Sequence, residues 1–519
     1  METLSLFPSP SISSCVRTWV SIGQWRENSL RVSNCWKKRS SLFTKPLERG
    51  IASKIGDSGS VSDADGSFSE TIEDELECRL YVWPHGKKPR VCILGGGFGG
   101  LYTALRLESL MWDDDKKPQI ILIDQSERFV FKPLLYELVS GEVDVWEIAP
   151  RFTDLLANTS IQFLQDKVKL LRPYDSMPAF GSVGAGCSGT VLLESGLLIE
   201  YDWLVLALGA EPKMDFISGA EEFAFPFSTL EDACKVNGKL EDLERKRFGM
   251  NEPIKVAIVG CGYNGIELAA TLSERLHDRG LVQAINAETT ILPNSSQGNR
   301  EAALKILNAR KVRLLLGYFV RSIQRDASDE FVLDLQPAVK GIPNEIVKTD
   351  MVLFTVGSKP PLAKLEPYEL PLNARGQAET VETLQVRGHP RIFAIGDSSA
   401  LRDSSGKLLA STAQVAFQQA DFTGWNIWAA INDRPLIPFR FQNLGEMMTL
   451  GRYDGAVSPS FIDGLTVEGP AGHYVRKLAY LMRLPTDEHR LKVGMSWLLK
   501  SAVDGVTSLQ KTLADVLAI

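Results

Sequence analysis

At 519 residues the chain is too long for one ordinary domain and points to two or three. A net charge of −7 leaves no basic footprint for a nucleic-acid partner. Hydrophobic residues make up 44% of the chain, yet no run of about 18 is free of charge, which excludes a membrane-spanning helix and leaves only peripheral membrane contact.

The first fifty residues are rich in serine (Ser5, Ser9, Ser11, Ser13, Ser14, Ser21) and carry Arg17, Arg26, Arg31, Lys37, Lys38 and Arg39. Only Glu2, Glu27 and Glu48 are acidic there. That composition predicts an organelle transit peptide over 1–50, and the dominance of serine favours a plastid over a mitochondrion. Residues 51–87 read as a disordered linker, since the Ser/Gly/Asp-rich stretch within it buries too little apolar area to fold. Asp63-Ala-Asp65-Gly66 imitates a calcium loop, but Gly66 at position six puts Ile72 where a bidentate Glu belongs. Cys15, Cys35, Cys78, Cys92, Cys187, Cys234 and Cys261 show no Cys-x-x-Cys spacing, so no metal site or local redox disulfide is expected. Cys92 and Cys261 read as small buried hydrophobes.

From residue 90 an apolar strand, Val91-Cys92-Ile93-Leu94, runs into Gly95-x-Gly97-x-x-Gly100 and then a helical pattern. Gly95 permits the tight turn, Gly97 lets backbone approach a pyrophosphate, and Gly100 lets helix and strand pack closely. The next strand, Ile120 to Ile123, ends in Asp124, placed to accept hydrogen bonds from an adenosine ribose. The pattern repeats: Lys255 to Val259 leads into Gly260-Cys261-Gly262-Tyr263-Asn264-Gly265. Two complete fingerprints imply two dinucleotides, and hydride transfer between them pairs FAD with NAD(P)H. In the strand after the second loop, Asn286 stands where the ribose-binding acid is expected, unless the offset is two and Glu288 serves. A neutral Asn286 removes the repulsion against a 2′-phosphate, and Arg300 is the candidate for its basic partner.

Five further segments carry a resemblance. Asp202 to Gly209 and Asp350 to Gly357 are apolar strands ending at glycine, and Arg391 to Asp397 ends in Gly396-Asp397. All three are similar to segments of two-dinucleotide-binding flavoproteins. Phe131-Lys132-Pro133-Leu134-Leu135-Tyr136-Glu137 and Ala413-Gln414-Val415-Ala416-Phe417-Gln418-Gln419 resemble the signatures of type II NAD(P)H:quinone oxidoreductases. With the leader, the chain resembles their plastid-type plant branch over roughly residues 88 to 500.

That resemblance implies an α/β fold of two Rossmann-like dinucleotide-binding domains. The FAD domain is expected in two parts, 88–220 and 363–430, around an NAD(P)H domain at 221–362. A C-terminal membrane-association or dimerisation region is expected at 431–519. Gly95, Gly97, Gly100, Asp124, Lys132, Gly209 and Asp397 would serve FAD. Gly260, Gly262, Gly265, Asn286 and the strand-end Gly357 would serve the NAD(P)H side. Glu267 would border the catalytic centre, or else be an acid favoured by a helix N-terminus. Gln414 and Gln418, at i and i+4, would line the quinone pocket, or else form an exposed polar stripe. The implied reaction passes electrons from NAD(P)H to plastoquinone or a phylloquinone-type naphthoquinone, a prenylquinone, without proton pumping. The implied location is an internal chloroplast membrane or plastoglobule, with the mitochondrion as a second site. Two rivals stay open: delivery of electrons to a small iron–sulfur protein, and a nucleotide-binding redox sensor. At the C-terminus, Leu491, Met495, Leu498 and Leu499 share one helical face, with Lys492, Lys500 and Lys511 at its edges and Trp497 nearby. That pattern suits a helix lying in a membrane interface, or one packed on the protein or on a second subunit.

Overall fold

Apolar runs that stop at a glycine generate the two sheets on which everything else is hung. The computed structural model describes residues 79–174, 188–339, 341, 343–365 and 370–517, with side chains as far as residue 502. The leader, most of the linker, the calcium-like loop, Cys15, Cys35, Cys78, Cys187 and the Lys511 side chain lie outside the described residues.

The first sheet has six strands in the order Gln385–Val386, His389–Ala394, Trp203–Leu206, Arg90–Leu94, Gln119–Asp124, Gln162–Gln165. All pairs are parallel except Gln385–Val386 with His389–Ala394. Its central strand, Val91 to Leu94, is buried on both faces, as continuous rather than alternating hydrophobicity requires. Helix α1 (Phe98–Ser109) follows, and after the strand Gln119–Asp124 a short helix α2 (Leu135–Val139). The second sheet is parallel throughout, ordered Phe225–Pro226, Met351–Phe354, Ile254–Val259, Gly280–Asn286, Arg313–Leu316. Its glycine turn opens helix α3 (Tyr263–Leu276). Each sheet therefore places its glycine-turn strand between the strand that precedes the ribose position and the strand that ends near Gly209 or Gly357.

The chain crosses between the sheets twice at one place, where Glu211–Pro212 pairs antiparallel with Ser358–Lys359. It returns to the first sheet at His389–Ala394 and continues into helix α4 (Ala413–Ile431), capped by Thr412, whose Oγ1 accepts the Val415 N–H at 3.2 Å. Helix α4 lies against α1 at close range, because a Cβ on Gly424 would fall 2.6 Å from Arg106 Cγ. Beyond it stand a three-stranded antiparallel sheet (Gly445–Thr449, Gly455–Pro459, Val467–Glu468) and helices α5 (Gly469–Leu481) and α6 (Asp487–Leu517).

Leu491, Met495, Leu498 and Leu499 are all exposed on α6. Trp497 departs from the expectation. It packs inward with the Lys477 ammonium 4.9 Å from its ring centre, so it does not stand at the outer edge of the apolar face. Lys492 pairs with Glu488, and Lys500 with Asp144 and Glu147, so these edge cations are tied to the protein itself. Among the described residues no helix is long and apolar enough to cross a membrane.

Candidate active site

The two glycine turns share one construction. The Gly95 N–H donates to Ile123 O and the Gly260 N–H to Ile285 O, both at 2.8 Å. Their φ angles, +98° and +107°, lie where glycine is favoured. A Cβ on Gly100 would fall 1.8 Å from Gly95 O, and one on Gly265 1.9 Å from Gly260 O, so these glycines let helix meet strand. Gly97 and Gly262 differ: nothing lies within 4 Å of a Cβ built on either. Each precedes a helix that has no side-chain cap and no acid in its first turn. First-turn N–H groups without intrahelical partners, the positive end of the helix dipole and open space beside a bare backbone together fit a pyrophosphate. The chain offers that cradle twice.

Asp124 and Asn286 prove to be equivalent. Asp124 Oδ2 accepts the Gly96 N–H at 2.6 Å, and Asn286 Oδ1 accepts the Cys261 N–H at 3.3 Å, each N–H being that of the residue after the first glycine. Glu288 lies farther out and is exposed. Arg300 donates to the carbonyls of Leu292, Pro293 and Ser295, so its guanidinium is spent on holding that loop.

Burial raises the carboxyls of both Asp124 and Asp397; the Ser126 and Gly96 N–H bonds and then the Lys132 charge draw Asp124 back, and the Lys132 charge and the Ser411 hydroxyl draw Asp397 back. Gly209 and Gly357, at φ of +68° and +75°, flank the double crossover, where the Lys213 N–H donates to Gly357 O at 3.2 Å.

Glu267 lies past the first turn of α3, so a helix N-terminus does not explain it. It is buried, accepts the Thr449 N–H at 2.9 Å and is bonded by the Tyr136 hydroxyl. Burial outweighs both bonds and pushes its carboxyl up to about 7, where an acid exchanges protons near neutral pH.

Gln414 and Gln418 do share one face of α4, and both amides are bonded to backbone. Gln418 bonds both the N–H and the carbonyl of Gln442; Gln414 accepts from Leu444 N and donates to Gly445 O. They hold residues 442–445 as a strap that runs on to Thr449 and Glu267. Between them on the helix stands Phe417, 4.5 Å from the Tyr102 ring and faced by the Arg483 guanidinium.

A family model described as pyridine nucleotide-disulphide oxidoreductase matches residues 89–420. The chain is 67% identical over 500 residues, 95% of it and 94% of the relative, to an Arabidopsis thaliana protein named alternative NAD(P)H-ubiquinone oxidoreductase C1, chloroplastic/mitochondrial. It is 42% identical over 418 residues to a demethylphylloquinone reductase of Synechocystis, covering 80% of this chain and 97% of that one. The chain belongs to the pyridine nucleotide-disulphide oxidoreductase family, in its type II NAD(P)H:quinone oxidoreductase branch. The fold agrees with that of Plasmodium falciparum NDH2 solved with NADH, at a TM-score of 0.66 and 18% identity over 79% of this chain and 97% of that one.

Despite the family's name, the described cysteines do not form a disulfide. Cys92, Cys234 and Cys261 are free, and burial pushes the Cys261 thiol up to about 12. Two members of the site escaped the sequence. Gln419, buried in the same signature, accepts the Gly396 N–H at 2.6 Å and fixes the turn that carries Asp397. In the sequence Tyr136 stands out only as part of a motif, because its pairing with Glu267 spans more than a hundred residues of chain.

Proposed function

We propose that the chain is an FAD-dependent enzyme that passes electrons from NAD(P)H to a membrane prenylquinone of the plastoquinone or phylloquinone type, without proton pumping. The observation that carries this is the duplicated open cradle at Gly97 and Gly262, joined to an aromatic and glutamine-bearing helix α4. The quinone reductase names of the Arabidopsis and Synechocystis relatives support the choice of acceptor.

In this reading Gly95, Gly97 and Gly100 hold the FAD pyrophosphate, Asp124 its ribose, Asp397 its ribityl chain and Lys132 the edge of its ring, with Gly209 closing the turn beside it. Gly260, Gly262, Gly265, Asn286 and Gly357 hold NAD(P)H, within residues 221–362. Bound FAD supplies the hydride and electron chemistry. The chain's own part is to orient the two ligands, to hold a proton on Glu267 and to shape the quinone side through the strap that Gln414 and Gln418 fasten. The test is anaerobic flavin reduction by NADH and NADPH, then stopped-flow reoxidation by plastoquinone and naphthoquinone analogues. If no quinone reoxidises the flavin, the assignment fails and the iron–sulfur and sensor rivals take its place.

Asn286 supports use of NADPH beside NADH, since a neutral side chain there does not repel a 2′-phosphate. Asn286→Glu is expected to weaken NADPH about tenfold more than NADH, roughly 1.4 kcal/mol of discrimination. Equal loss for both donors in flavin-reduction titrations would refute it.

The apolar faces of α5 and α6, with Leu478, Met482, Leu491, Met495, Leu498 and Leu499 exposed, support peripheral docking on a lipid surface, either an internal plastid membrane or a plastoglobule. Each leucine that sinks into lipid contributes about 1.5–3 kcal/mol. Replacing Leu498 and Leu499 by serine should cut partitioning onto vesicles at least about tenfold. A change in oligomeric state with unchanged partitioning would assign the face to a homodimer instead. The leader composition and the chloroplastic/mitochondrial name of the Arabidopsis relative support a chloroplast address, with the mitochondrion second.

A further inference from the structure

Helix α5 buries a set of charges against residues 135–142 that the glycine-turn frame does not require. Arg476 is fully buried, bonded through Nη2 to Glu137 Oε1, with its guanidinium 5.3 Å from the Tyr480 ring centre. Lys477 Nζ lies 3.1 Å from Glu142 Oε1 and 3.6 Å from Glu137 Oε2, and His473 Nε2 lies 3.6 Å from the same Glu142 oxygen. Dehydrating such ions costs several kcal/mol each, and apolar side chains would pack the helix at least as stably. Stability therefore does not explain the cluster.

It also holds unmet hydrogen-bonding capacity. Arg476 Nε and Nη1, Glu137 Oε2, His473 Nδ1 and Trp497 Nε1 are buried without a hydrogen-bond partner among the described residues. Buried polar atoms are paired about nine times in ten, so several unpaired donors and acceptors at one place mark a site for ordered water. The cluster reaches from the surface to the site. At its outer end the Glu142 side chain keeps 7% of its surface open to solvent beside the 16%-exposed Lys477, and Lys500 Nζ lies 3.4 Å from the Glu142 carbonyl. At its inner end Tyr136, the neighbour of Glu137, bonds Glu267, whose charge also feels Arg476 and Glu137.

We propose that Glu142, His473, Lys477, Glu137 and Arg476 line a hydrated path that carries protons from the surface to Glu267. The inference rests on the quinone-reductase assignment, because that reaction consumes protons. NAD(P)H, one proton and a quinone give NAD(P)+ and a quinol: the hydride brings both electrons and one proton, and solvent supplies the other. Solvent protonates Glu142, ordered water passes the proton to Glu267, and Glu267 releases it toward the acceptor oxygen, so each carboxyl returns to its starting state.

The electrostatics suit this division of labour. Burial would raise Glu137, but Arg476 and Lys477 overcome it and hold its carboxyl below the ordinary value, so Glu137 stays ionised and does not trap the proton. Burial first, and then the Glu137 charge, push Glu142 up to about 7, against the pull of Lys477 and Arg476. Burial and the neighbouring Arg476 push His473 down to about 4, leaving it neutral. Tyr136 and Tyr480 also face the cluster, and burial raises both phenols, so they stay protonated as donors.

The experiment uses the full FAD-loaded chain carrying Glu142→Gln, His473→Gln or Glu142→Asp. Each is assayed with a plastoquinone analogue and with ferricyanide, an electron acceptor that takes up no proton. The ratio of quinone to ferricyanide rates should fall about tenfold in Glu142→Gln, with a larger solvent deuterium isotope effect. His473→Gln should fall less, and Glu142→Asp should recover much of the ratio. Infrared titration should show protonated-carboxyl absorption near neutral pH from Glu142 and Glu267, and Glu142→Gln should remove the Glu142 share while leaving that of Glu267. An unchanged ratio, isotope effect and infrared absorption in Glu142→Gln would overturn the path while leaving the enzyme assignment intact. A parent chain that reduces ferricyanide but no quinone would overturn both, and would be seen before any variant is compared.

Discussion

Gly97→Val is expected to give a folded chain that purifies without flavin, while Gly100→Ala is expected to lose both flavin and stability. Gly97 has φ −73° and ψ −160°, extended backbone that valine adopts, and nothing lies within 4 Å of its added Cβ. The fold loses only the capping preference, about 1 kcal/mol. The new methyl groups, however, occupy the space into which the first-turn N–H groups of α1 open. A dinucleotide bound at about 1,000 times its Kd adds roughly 4 kcal/mol of apparent stability, and that increment goes with it. Gly100→Ala drives a Cβ to 1.8 Å from Gly95 O and 3.1 Å from Ile93 Cγ2, so α1 must leave its strand. Overpacking of this kind costs at least about 1–3 kcal/mol. Flavin absorbance per chain and thermal unfolding of the apoprotein separate the two cases. Full flavin occupancy in Gly97→Val would put the pyrophosphate elsewhere. The second turn allows the same comparison: Gly262→Val should keep flavin but abolish its reduction by NAD(P)H, while Gly265→Ala meets Gly260 O at 1.9 Å.

Those turns were legible because their requirements are local. A tight turn, a close helix and an open approach need glycine at fixed offsets, and the flanking apolar runs identify the strands. Asn286 could be placed for the same reason, since the end of one strand faces the turn of the next, and its bond to Cys261 N matches that of Asp124 to Gly96 N. What could not be read depends on segments that meet only in space. Gln414 and Gln418 have the right helical spacing, but nothing local reveals that their amides bond residues 442–445. Trp497 has the chemistry of an interfacial anchor, yet Lys477 on α5 draws its ring inward. Arg476 and Glu137, 339 positions apart, look like surface charges on amphipathic helices until α5 docks and dehydrates them together.

Glu267→Gln is expected to act in opposite directions on rate and on stability. The Glu267 carboxyl is pushed from its ordinary 4.5 up to about 7, so the folded chain binds this proton more tightly than the unfolded one. Its contribution to stability is therefore complete below about pH 4.5 and is lost as the pH rises through about 7, on the order of 3 kcal/mol in all. Glutamine mimics the protonated acid and does not ionise, so the variant should unfold at a higher temperature than the parent above pH 7 and match it below about pH 4.5. The quinone-dependent kcat should move the other way. A positioned acid contributes about 10²–10⁴-fold, and glutamine has no proton to give, so a loss of about 10²-fold is expected. The fall in parent activity above pH 7, where Glu267 ionises, should disappear from what remains. A residue that only packs α3 against Tyr136 and Thr449 would lower rate and stability together and leave the shape of the pH profile alone. A variant that keeps the parent's alkaline decline, measured with a saturating quinone, would remove Glu267 from proton delivery.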